Sequence, residues 1–415
     1  MSKFLKVKTA QQVLALLSEI RPLPSETIPL ERARGRTVAS DIRAPEAVPH
    51  FFRATMDGFA VRAADTFGAS ENLPALLTTA GEVLMGECAK APLVPGTAVA
   101  VATGGMLPEG ANAVVMIEYT QPAGSGVIEV TRPVAPGENL LAPGDDIRMD
   151  EKLFERGRLL GPRDIGVLAS LGITEIEVFR RPRVALISTG DEIVPVQTHP
   201  LPPGKVRDIN TFALAAHMEA AGAEIGLRAT VPDRLEELVS ACLDALPGHD
   251  MIVLSGGSSV GTRDYTIKTL ERLPDSKLLV HGVAIRPGKP VILGLSGEKV
   301  FWGLPGQPVS ALITCRVFVA PSLDRLQGRC EAGLRTDGFG TFQAILDRRL
   351  PSVHGRTDFI PVTVSIGEDR VVRAVPIFGK SGAISILARA DGYVIVPEHA
   401  EGYDRGDEVT VHPFV

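Results

Sequence analysis

The chain has 415 residues, more than the roughly 250–300 at which a single hydrophobic core stops growing, so its length predicts several domains. Its formal net charge of −6 argues against non-specific nucleic-acid binding. The four cysteines form no CxxC pair, which disfavours a zinc knuckle or redox motif, and no segment has the roughly 18 apolar residues that a membrane span needs. We therefore expect a cytoplasmic protein with reduced, mostly buried cysteines that binds neither nucleic acid nor membranes.

The first part of the chain combines a short helix with a β-rich region. Thr9 and Gln12 have the spacing of a capping box, which predicts an amphipathic helix that ends before Pro22. From about residue 45 to 149, short β runs separated by Pro-Gly and Gly-Gly pairs predict an all-β module. A predicted helix over 162–171 and an alternating strand over 173–178 then lead back to the opening helix.

Residues 182–328 alternate apolar strands with amphipathic helices, which is the pattern of a parallel sheet with crossovers. Asp233 and Glu236 are expected to cap one of these helices. A long helix over 308–326 ends the segment. After Arg329, β-branched alternation around a turn at 367–369 predicts a small C-terminal β-barrel.

A loop rich in glycine and serine follows the apolar strand over 251–254. In doubly wound sheets, ligands bind beyond the carboxyl ends of the strands, where such loops offer backbone N–H groups. Three glycines and three serines exceed what a tight turn before a capped helix requires. We therefore predict a phosphate site made of Ser255, Gly256, Gly257, Ser258, Ser259 and Gly261.

Charged side chains follow the same strand ends. Asp264 comes just after the glycine-serine loop, and Asp191 and Glu192 follow the strand over 184–187. Arg286 and Lys289 flank a Pro-Gly turn, an arrangement that suits an oxyanion. A capped turn and solvated surface charge are the structural alternatives for these carboxylates and cations.

The standard GxxxxGK[ST], GxGxxG and HExxH motifs do not occur, which weakens kinase, dehydrogenase and zincin hypotheses. Residues 257–261 do match GxSxG, so an α/β-hydrolase-like esterase with Ser259 as nucleophile is an alternative. That enzyme needs a histidine after a late strand of the sheet. His354, His399 and His412 fall instead in the predicted barrel.

Eight motifs together resemble those of molybdopterin molybdotransferase, the family that includes the C-terminal domain of gephyrin. They are MDGFA at 56–60, TG at 103–104, GDD at 144–146, STGDE at 188–192, SGGSSVGTRDY at 255–265, PGKP at 287–290, LPGQPVS at 304–310 and GR at 355–356. They span nearly the whole chain in the family's order.

The resemblance implies a multidomain α/β fold of four domains. We assign an elongated helical dimerisation domain to 1–44 with 150–181, and a β-rich domain to 45–149. Residues 182–328 would form a three-layer α/β domain with a mainly parallel sheet, and 329–415 a C-terminal β-barrel. The family also implies a homodimer whose cleft uses both subunits, and transient contacts with the molybdopterin adenylyltransferase and with cofactor-accepting enzymes.

The implied activity is the magnesium-dependent insertion of molybdate into adenylylated molybdopterin, with release of AMP and formation of the molybdenum cofactor. By motif, the glycine-serine loop would hold the phosphates, and Glu192, Asp233 and Asp264 would bind or orient Mg²⁺. Molybdate would be bound by Arg286, Lys289, Pro290, Ser310, Arg356 and Ser381. The partner subunit would contribute Asp57, Thr103 and Asp146.

Simpler structural roles remain open for some of these residues: a helix cap for Asp233, a plain hairpin for Asp57 and an ordinary turn for Ser381. Four positions depart from the family's common residues: Leu141 for arginine, Gln307 for asparagine, Thr262 for an acidic residue, and Arg286 for lysine. A non-catalytic scaffold of the same fold is a further alternative, and it requires no paired cations and carboxylates.

Overall fold

The structure is a computed structural model that describes residues 7–256, 263–329 and 340–414. The side chains of Arg263 and Asp264 are not described. It divides into two compact units. Unit 1 comprises Met1–Ser40, Arg156–Ile165 and Glu175–Val415, and unit 2 comprises Asp41–Glu155 and Gly166–Thr174. The four domain boundaries expected above stay a prediction. No helix in the described ranges is long and apolar enough to cross a membrane.

The opening helix is formed and capped as predicted. In α1 (Ala10–Leu16), the Thr9 hydroxyl accepts a hydrogen bond from the Gln12 N–H at 3.2 Å, and the Gln12 side chain accepts one from the Thr9 N–H at 3.0 Å. Val13, Leu17 and Ile20 are buried in the same core as the large sheet of unit 1. The helix therefore packs on the α/β core.

The two segments expected to form a helical domain meet through strands. The strand β1 (Ser25–Pro29) belongs to unit 1 and β2 (Ile42–Arg43) to unit 2. Each pairs antiparallel with a strand from the second segment, as given below. In the described parts of these segments, the helices are α1, the nine-residue α2 (Pro162–Ser170) and short 3-10 turns. The helical character expected for this domain is therefore weak.

Unit 2 is built around a six-stranded sheet, which confirms the predicted all-β module. After β2, the strands of unit 2 in chain order are β3 (Arg53–Ala54), β4 (Gly58–Val61), β5 (Ala75–Val83), β6 (Thr97–Val101), β7 (Ala113–Met116), β8 (Thr120–Pro122), β9 (Val127–Val130), β10 (Leu140–Leu141) and β11 (Lys152–Phe154). The sheet has the order β7-β4-β6-β5-β9-β8. Ala113 and Val115 lie in one buried cluster and Val114 in another, so both faces of β7 are covered.

The chain then forms α2 (Pro162–Ser170) and β12 (Glu175–Phe179). Strand β12 pairs antiparallel with β1, and β11 pairs with β2. The α/β region follows with β13 (Arg183–Thr189), β14 (Ile193–Val194), β15 (Val206–Arg207), α3 (Asn210–Ala220), β16 (Glu224–Val231), α4 (Leu235–Ala245), β17 (Met251–Gly256), α5 (Arg263–Glu271), β18 (Ser276–His281), β19 (Ile285–Arg286), β20 (Ile292–Ser296), β21 (Lys299–Leu304), α6 (Pro308–Thr314) and α7 (Ala320–Leu326).

The sheet of this region has the order β16-β13-β17-β21-β20-β18. The first three pairings are parallel and the last two antiparallel, which confirms the mainly parallel sheet. Val184 and Leu186 face a core that includes α3, α6 and α7, whereas Ala185 and Ile187 face one that includes α4 and α5. The domain therefore has three layers. A π-helical turn at Cys315–Val319 joins α6 to α7, so the long predicted helix is continuous.

The carboxyl ends of three parallel strands lie side by side. Thr189 of β13 is in register with Gly256 of β17, and Ser255 of β17 with Leu304 of β21. Adjacent strands lie about 4.8 Å apart. The loops after β13, β17 and β21, which lead to Glu192, the glycine-serine loop and Ser310, therefore leave the sheet at one edge.

The C-terminal region forms the predicted barrel. Its elements are β22 (Phe342–Leu346), β23 (Leu350–Pro351), β24 (Thr357–Ile366), β25 (Val372–Pro376), α8 (Ser385–Arg389), β26 (Gly392–Val396), β27 (Gly402–Tyr403) and β28 (Glu408–Pro413). Five strands close in the order β24-β25-β22-β28-β26 because β26 also pairs with β24. Strand β19 adds to this barrel through β24, with Arg286 opposite Asp358.

Two of the four cysteines are buried as expected. Burial raises the pKa of Cys242 to about 12 and raises that of Cys315 further still, so both thiols stay protonated and unreactive. Cys88 is exposed, and Cys330 lies outside the described residues.

Gly256, at the end of β17, is predicted to be irreplaceable. It has φ +129°, and an added Cβ would lie 2.0 Å from the Thr189 carbonyl oxygen. Because that neighbour is backbone of the next strand, Gly256→Ala should lower the free energy of unfolding by about 2 kcal/mol or more in chemical denaturation. Gly166→Ala is the matched control, since Gly166 lies within α2 with nothing within 4 Å of an added Cβ. Equal stability of the two variants would contradict this account.

Candidate functional site

A pocket of about 990 Å³ in unit 1 gathers residues that are distant in the sequence. Its wall includes all six residues predicted to bind an oxyanion: Arg286, Lys289, Pro290, Ser310, Arg356 and Ser381. They come from the β19 turn, the first turn of α6 and two loops of the barrel region. The fold therefore brings together the residues that the motifs nominated, while their role as ligands stays a prediction.

The turn after β19 is fixed by close packing against α6. Gly288 has φ +106°, and a Cβ there would lie 2.3 Å from Cγ2 of Thr314. The carbonyl of Lys289 accepts a hydrogen bond from the Val283 N–H at 2.9 Å. A larger residue at 288 would push the turn away from the helix, so this glycine holds Arg286 and Lys289 at the pocket wall.

Arg356 is held by a buried carboxylate. Its Nε donates to Oδ1 of Asp358 at 2.8 Å and its Nη2 to Oδ2 at 3.3 Å, while Asp358 is completely buried. This two-bond geometry fixes the plane of the guanidinium group. It also neutralises the arginine's charge, so Arg356 contributes direction more than net positive charge.

The first turn of α6 and the loop before α8 are interlocked. The Val309 N–H donates to the carbonyl of Ser381 at 3.2 Å, and Ser310 beside it is 4% exposed. A Cβ at Gly382 would lie 2.2 Å from Oε1 of Gln307, so the glycine gives the longer glutamine side chain room. Ser381 is thus part of a packed junction that places it in the pocket wall.

Sequence reasoning missed a fourth cation, Lys380, which also lines this pocket. The family motif marks the serine that follows it, and nothing local to the sequence distinguishes Lys380 from a surface lysine. No carboxylate is among the described residues that line the pocket. The positive charges of Arg286, Lys289 and Lys380 are therefore without a counter-charge on its wall.

The start of the glycine-serine loop is tied to the α6 loop by Asn210, a second residue that sequence reasoning missed. Its Nδ2 donates to the Ser255 hydroxyl at 2.8 Å and to the Gly306 carbonyl at 3.0 Å. Ser255 is fully buried, so its hydroxyl serves the protein interior. The predicted phosphate ligands Gly257, Ser258, Ser259 and Gly261 lie outside the described residues.

Three carboxylates stand at the ends of β13 and β16. The Asp233 N–H donates to Asp191 Oδ1 at 3.3 Å, and Thr189 Oγ1 lies 3.5 Å from Asp233 Oδ1. Burial, followed by the charges of Asp191 and Glu192, raises the pKa of Asp233, although the Thr189 hydroxyl opposes this. Repulsion among these carboxylates is what a bound cation would relieve.

The predicted helix cap at Asp233 is wrong. The N-cap of α4 is Arg234, and no side chain caps that helix. Asp233 lies one residue before the N-cap, and the extended Arg234 separates it from the first turn of α4. The Asp233 carboxylate lies next to Thr189 instead. This removes the structural explanation for Asp233. The described residues contain no group of three or more side chains at metal-binding distance, and the Asp264 side chain lies outside the description.

Within unit 2, two of the predicted cleft residues are in direct contact. Asp57 Oδ1 accepts hydrogen bonds from the Thr103 N–H at 2.6 Å and from the Thr103 hydroxyl at 2.9 Å. These bonds, the backbone one first, lower the pKa of Asp57, so it is ionised at neutral pH. Asp146 is exposed on a loop of the same unit. Leu141, a departure from the family, pairs with Arg53 in the two-stranded β3-β10 sheet.

His412 gives the esterase hypothesis no support. His412 lies on β28, where its ring stacks on Tyr393 with centroids 5.2 Å apart. Burial, then the charge of Arg316, lowers the pKa of His412. This histidine is a packed barrel residue. The proposed nucleophile Ser259 lies outside the described residues.

Three family models match successive parts of the chain. Residues 5–172 match the MoeA N-terminal region (domains I and II), residues 185–325 a probable molybdopterin binding domain, and residues 343–414 the MoeA C-terminal region (domain IV). Together they cover both units and all the predicted motifs.

Whole proteins and solved structures agree with these matches. The molybdopterin molybdenumtransferase of Haemophilus influenzae is 32% identical over 98% of each chain. A putative molybdopterin biosynthesis protein of Methanocaldococcus jannaschii is 34% identical over 93% of this chain and 91% of its own. A MoeA crystal structure from Pyrococcus horikoshii has a TM-score of 0.82 at 38% identity, covering 99% of this chain and 100% of that one. The chain therefore belongs to the molybdopterin molybdenumtransferase (MoeA) family of transferases in molybdenum cofactor biosynthesis.

Proposed function

We propose that this protein inserts molybdate into adenylylated molybdopterin with release of AMP, giving the molybdenum cofactor. The observation that carries the proposal is the pocket whose wall contains Arg286, Lys289 and Lys380 and, among its described lining residues, no carboxylate. Molybdate is a tetrahedral dianion, which requires positive charge and hydrogen-bond donors. Ser310, Ser381 and the fixed guanidinium of Arg356 supply the donors.

The order of the loops at the sheet edge supports the second half of the site. Carboxylates follow β13, the glycine-serine loop follows β17, and the α6 loop that leads to Ser310 follows β21. Two strand spacings, about 10 Å, separate the first from the last. An extended substrate with phosphates in the middle would thus meet carboxylates at one end and the cation-lined pocket toward the other.

Glu192 and Asp233 would offer Mg²⁺ the oxygen ligands that it prefers, and burial, together with the charges of Asp191 and Glu192, raises the pKa of Asp233. We assign Asp264 to the same ion by its motif. When bound, Mg²⁺ neutralises charge on the phosphate that is cleaved. The chain's own part is to orient the phosphates with backbone N–H groups and to hold molybdate beside the reacting sulfurs.

We further propose a homodimer in which Asp57, Thr103 and Asp146 act in the partner's cleft. The ionised Asp57, held by Thr103, is positioned by unit 2 rather than by the sheet that carries Lys289. Such a carboxylate would accept hydrogen bonds from the pterin. Transient contacts with the adenylyltransferase that supplies the substrate, and with enzymes that accept the product, belong to the same proposal.

Incubating the protein with adenylylated molybdopterin, Mg²⁺ and molybdate should release AMP in a molybdate-dependent manner, measured by chromatography. Lys289→Ala should raise the molybdate concentration at half-maximal rate by about tenfold or more, since it removes a charged donor, with little effect on substrate binding. Lys277→Ala is the control, because Lys277 lies on the surface and, among the described residues, pairs with Glu19. A normal molybdate dependence in Lys289→Ala would remove this lysine from the oxyanion site.

The carboxylate end has its own test in thermal unfolding. Because the pKa of Asp233 is raised, its stability contribution is fully present below the unfolded pKa and is lost as pH rises through the folded pKa. Asp233→Asn should therefore raise Tm at pH 7 without Mg²⁺, and the gain should shrink toward pH 3.8, the ordinary pKa. Added Mg²⁺ should stabilise the wild type more than the variant.

The exposed Asp244→Asn on α4 controls for the loss of one surface charge. If Asp233→Asn lowers Tm at pH 7, or if Mg²⁺ stabilises both proteins equally, the carboxylate cluster does not bind the ion.

Co-expression of two inactive chains tests the shared cleft. Asp57→Ala and Lys289→Ala should each abolish most activity as homodimers. In a heterodimer purified by two tags, one cleft would carry both changes and the other neither, so about half of wild-type activity should return. The control is a heterodimer of Asp57→Ala with Thr103→Ala, both in unit 2, which should stay inactive. Absence of recovery would contradict a cleft built from two subunits.

A further inference from the structure

A second pocket of unit 1, about 550 Å³ in volume, is lined almost entirely by arginine. Its wall consists of Glu26, Arg32, Arg36, Arg180, Arg181, Arg183 and Glu224. Strand β1 and the turn after it, the segment between β12 and β13, and the first residues of β13 and β16 supply these residues. It shares no lining residue with the pocket that contains Lys289, and none of the family motifs falls on it.

The buried member of this cluster is Arg36, whose side chain is only 9% exposed. Its Nη2 donates to the Glu26 carboxylate and to the Phe179 carbonyl, the latter at 2.8 Å. Within the described chain, Nε and Nη1 of Arg36 have no recorded hydrogen bond. These two nitrogens are not among the buried polar atoms that lack a partner, so they reach solvent and can donate to a ligand in the pocket.

Arg180 is rigidly placed next to it. Its Nη1 and Nη2 donate to the two oxygens of Asp250 at 3.0 and 2.8 Å, and Asp250 also accepts the Arg183 N–H at 2.8 Å. Asp250 therefore fixes both the side chain of Arg180 and the backbone that carries Arg181 and Arg183. The arrangement is preorganised, so binding of a ligand would cost little conformational entropy.

Charge in the pocket is unbalanced. Glu26 and Asp250 pair with Arg36 and Arg180, and Glu224 lies 3.6 Å from Nε of Arg183. No ion pair or hydrogen bond is recorded in the described chain for the side chains of Arg32 and Arg181. Five guanidinium groups against three carboxylates leave two positive charges, in a chain whose net charge is −6. Convergence of like charges at one place is unfavourable without an anion.

We propose that this pocket binds a dianionic phosphate group. Guanidinium groups present planar pairs of donors that match phosphate oxygens, and two unpaired arginines match the charge of a phosphate dianion. The source is either free inorganic phosphate or the phosphate of a nucleoside monophosphate. This site is independent of the proposed transferase site, because it uses none of the same residues.

Isothermal titration of the full-length protein with inorganic phosphate and, separately, with AMP at constant ionic strength tests the proposal. Arg32→Gln/Arg181→Gln should weaken binding about tenfold or more, since each loses charged hydrogen bonds. Lys289→Ala should leave this binding event unchanged. Arg21→Gln is the matched control for loss of a surface arginine, because the exposed Arg21 pairs with Glu298 at 3.3 Å in the described part of the chain.

A second double variant, Arg32→Lys/Arg181→Lys, keeps the positive charge and is titrated in the same way if the glutamine variant is unstable. It should bind phosphate with intermediate affinity, because lysine cannot donate two parallel bonds. Tighter binding of phosphate than of AMP would identify the free ion as ligand, and the reverse would identify a nucleotide. The proposal is overturned if neither ligand binds, if binding is lost in Lys289→Ala but kept in the arginine variants, or if a glutamate-rich peptide binds where both phosphates fail.

Discussion

Positive charge without a counter-charge on the wall of one pocket is the constraint around which the proposed site is organised. Arg286, Lys289 and Lys380 line the same pocket, and no carboxylate is among its described lining residues, so an anion bound there would meet positive charge that has no counter-charge on the wall. Asp358 offsets only the charge of Arg356, and in doing so fixes that side chain. Carboxylates gather at the neighbouring strand end, where burial, followed by the charges of Asp191 and Glu192, raises the pKa of Asp233. One end of the site therefore suits a dianion and the other a cation.

Close backbone packing holds the segments that carry these cations and carboxylates in place. Gly288 lets the cation turn touch Thr314, Gly256 lets β17 end against β13, and Gly382 leaves room for Gln307. Asn210 then joins the start of the glycine-serine loop to the α6 loop through two hydrogen bonds. The energy that holds like charges together thus comes from the packed core of the α/β domain and the barrel, not from contacts among the charges themselves.

Periodicity and turn chemistry predicted several of the main elements of this fold. The capping box at Thr9, the mainly parallel sheet and the C-terminal barrel are confirmed because each depends on local pattern. Asp233 was wrongly predicted to cap α4 because it lies one residue before the N-cap, Arg234. The sequence pattern does not fix the position of a cap to a single residue. Asn210 and Lys380 were missed because their importance arises from contacts across the chain, which no local pattern records. The two segments expected to be helical meet through strands, a long-range pairing that local propensity does not specify.

Anomalous diffraction at the molybdenum absorption edge, from crystals grown with molybdate, tests the central claim most directly. A tetrahedral dianion held by Lys289, Ser310 and Ser381 should give one strong molybdenum peak in the pocket that these residues line. The peak should disappear in crystals of Lys289→Ala grown under the same conditions. Molybdenum found only elsewhere on the protein, or an unchanged peak in that variant, would contradict the assignment of this pocket to molybdate.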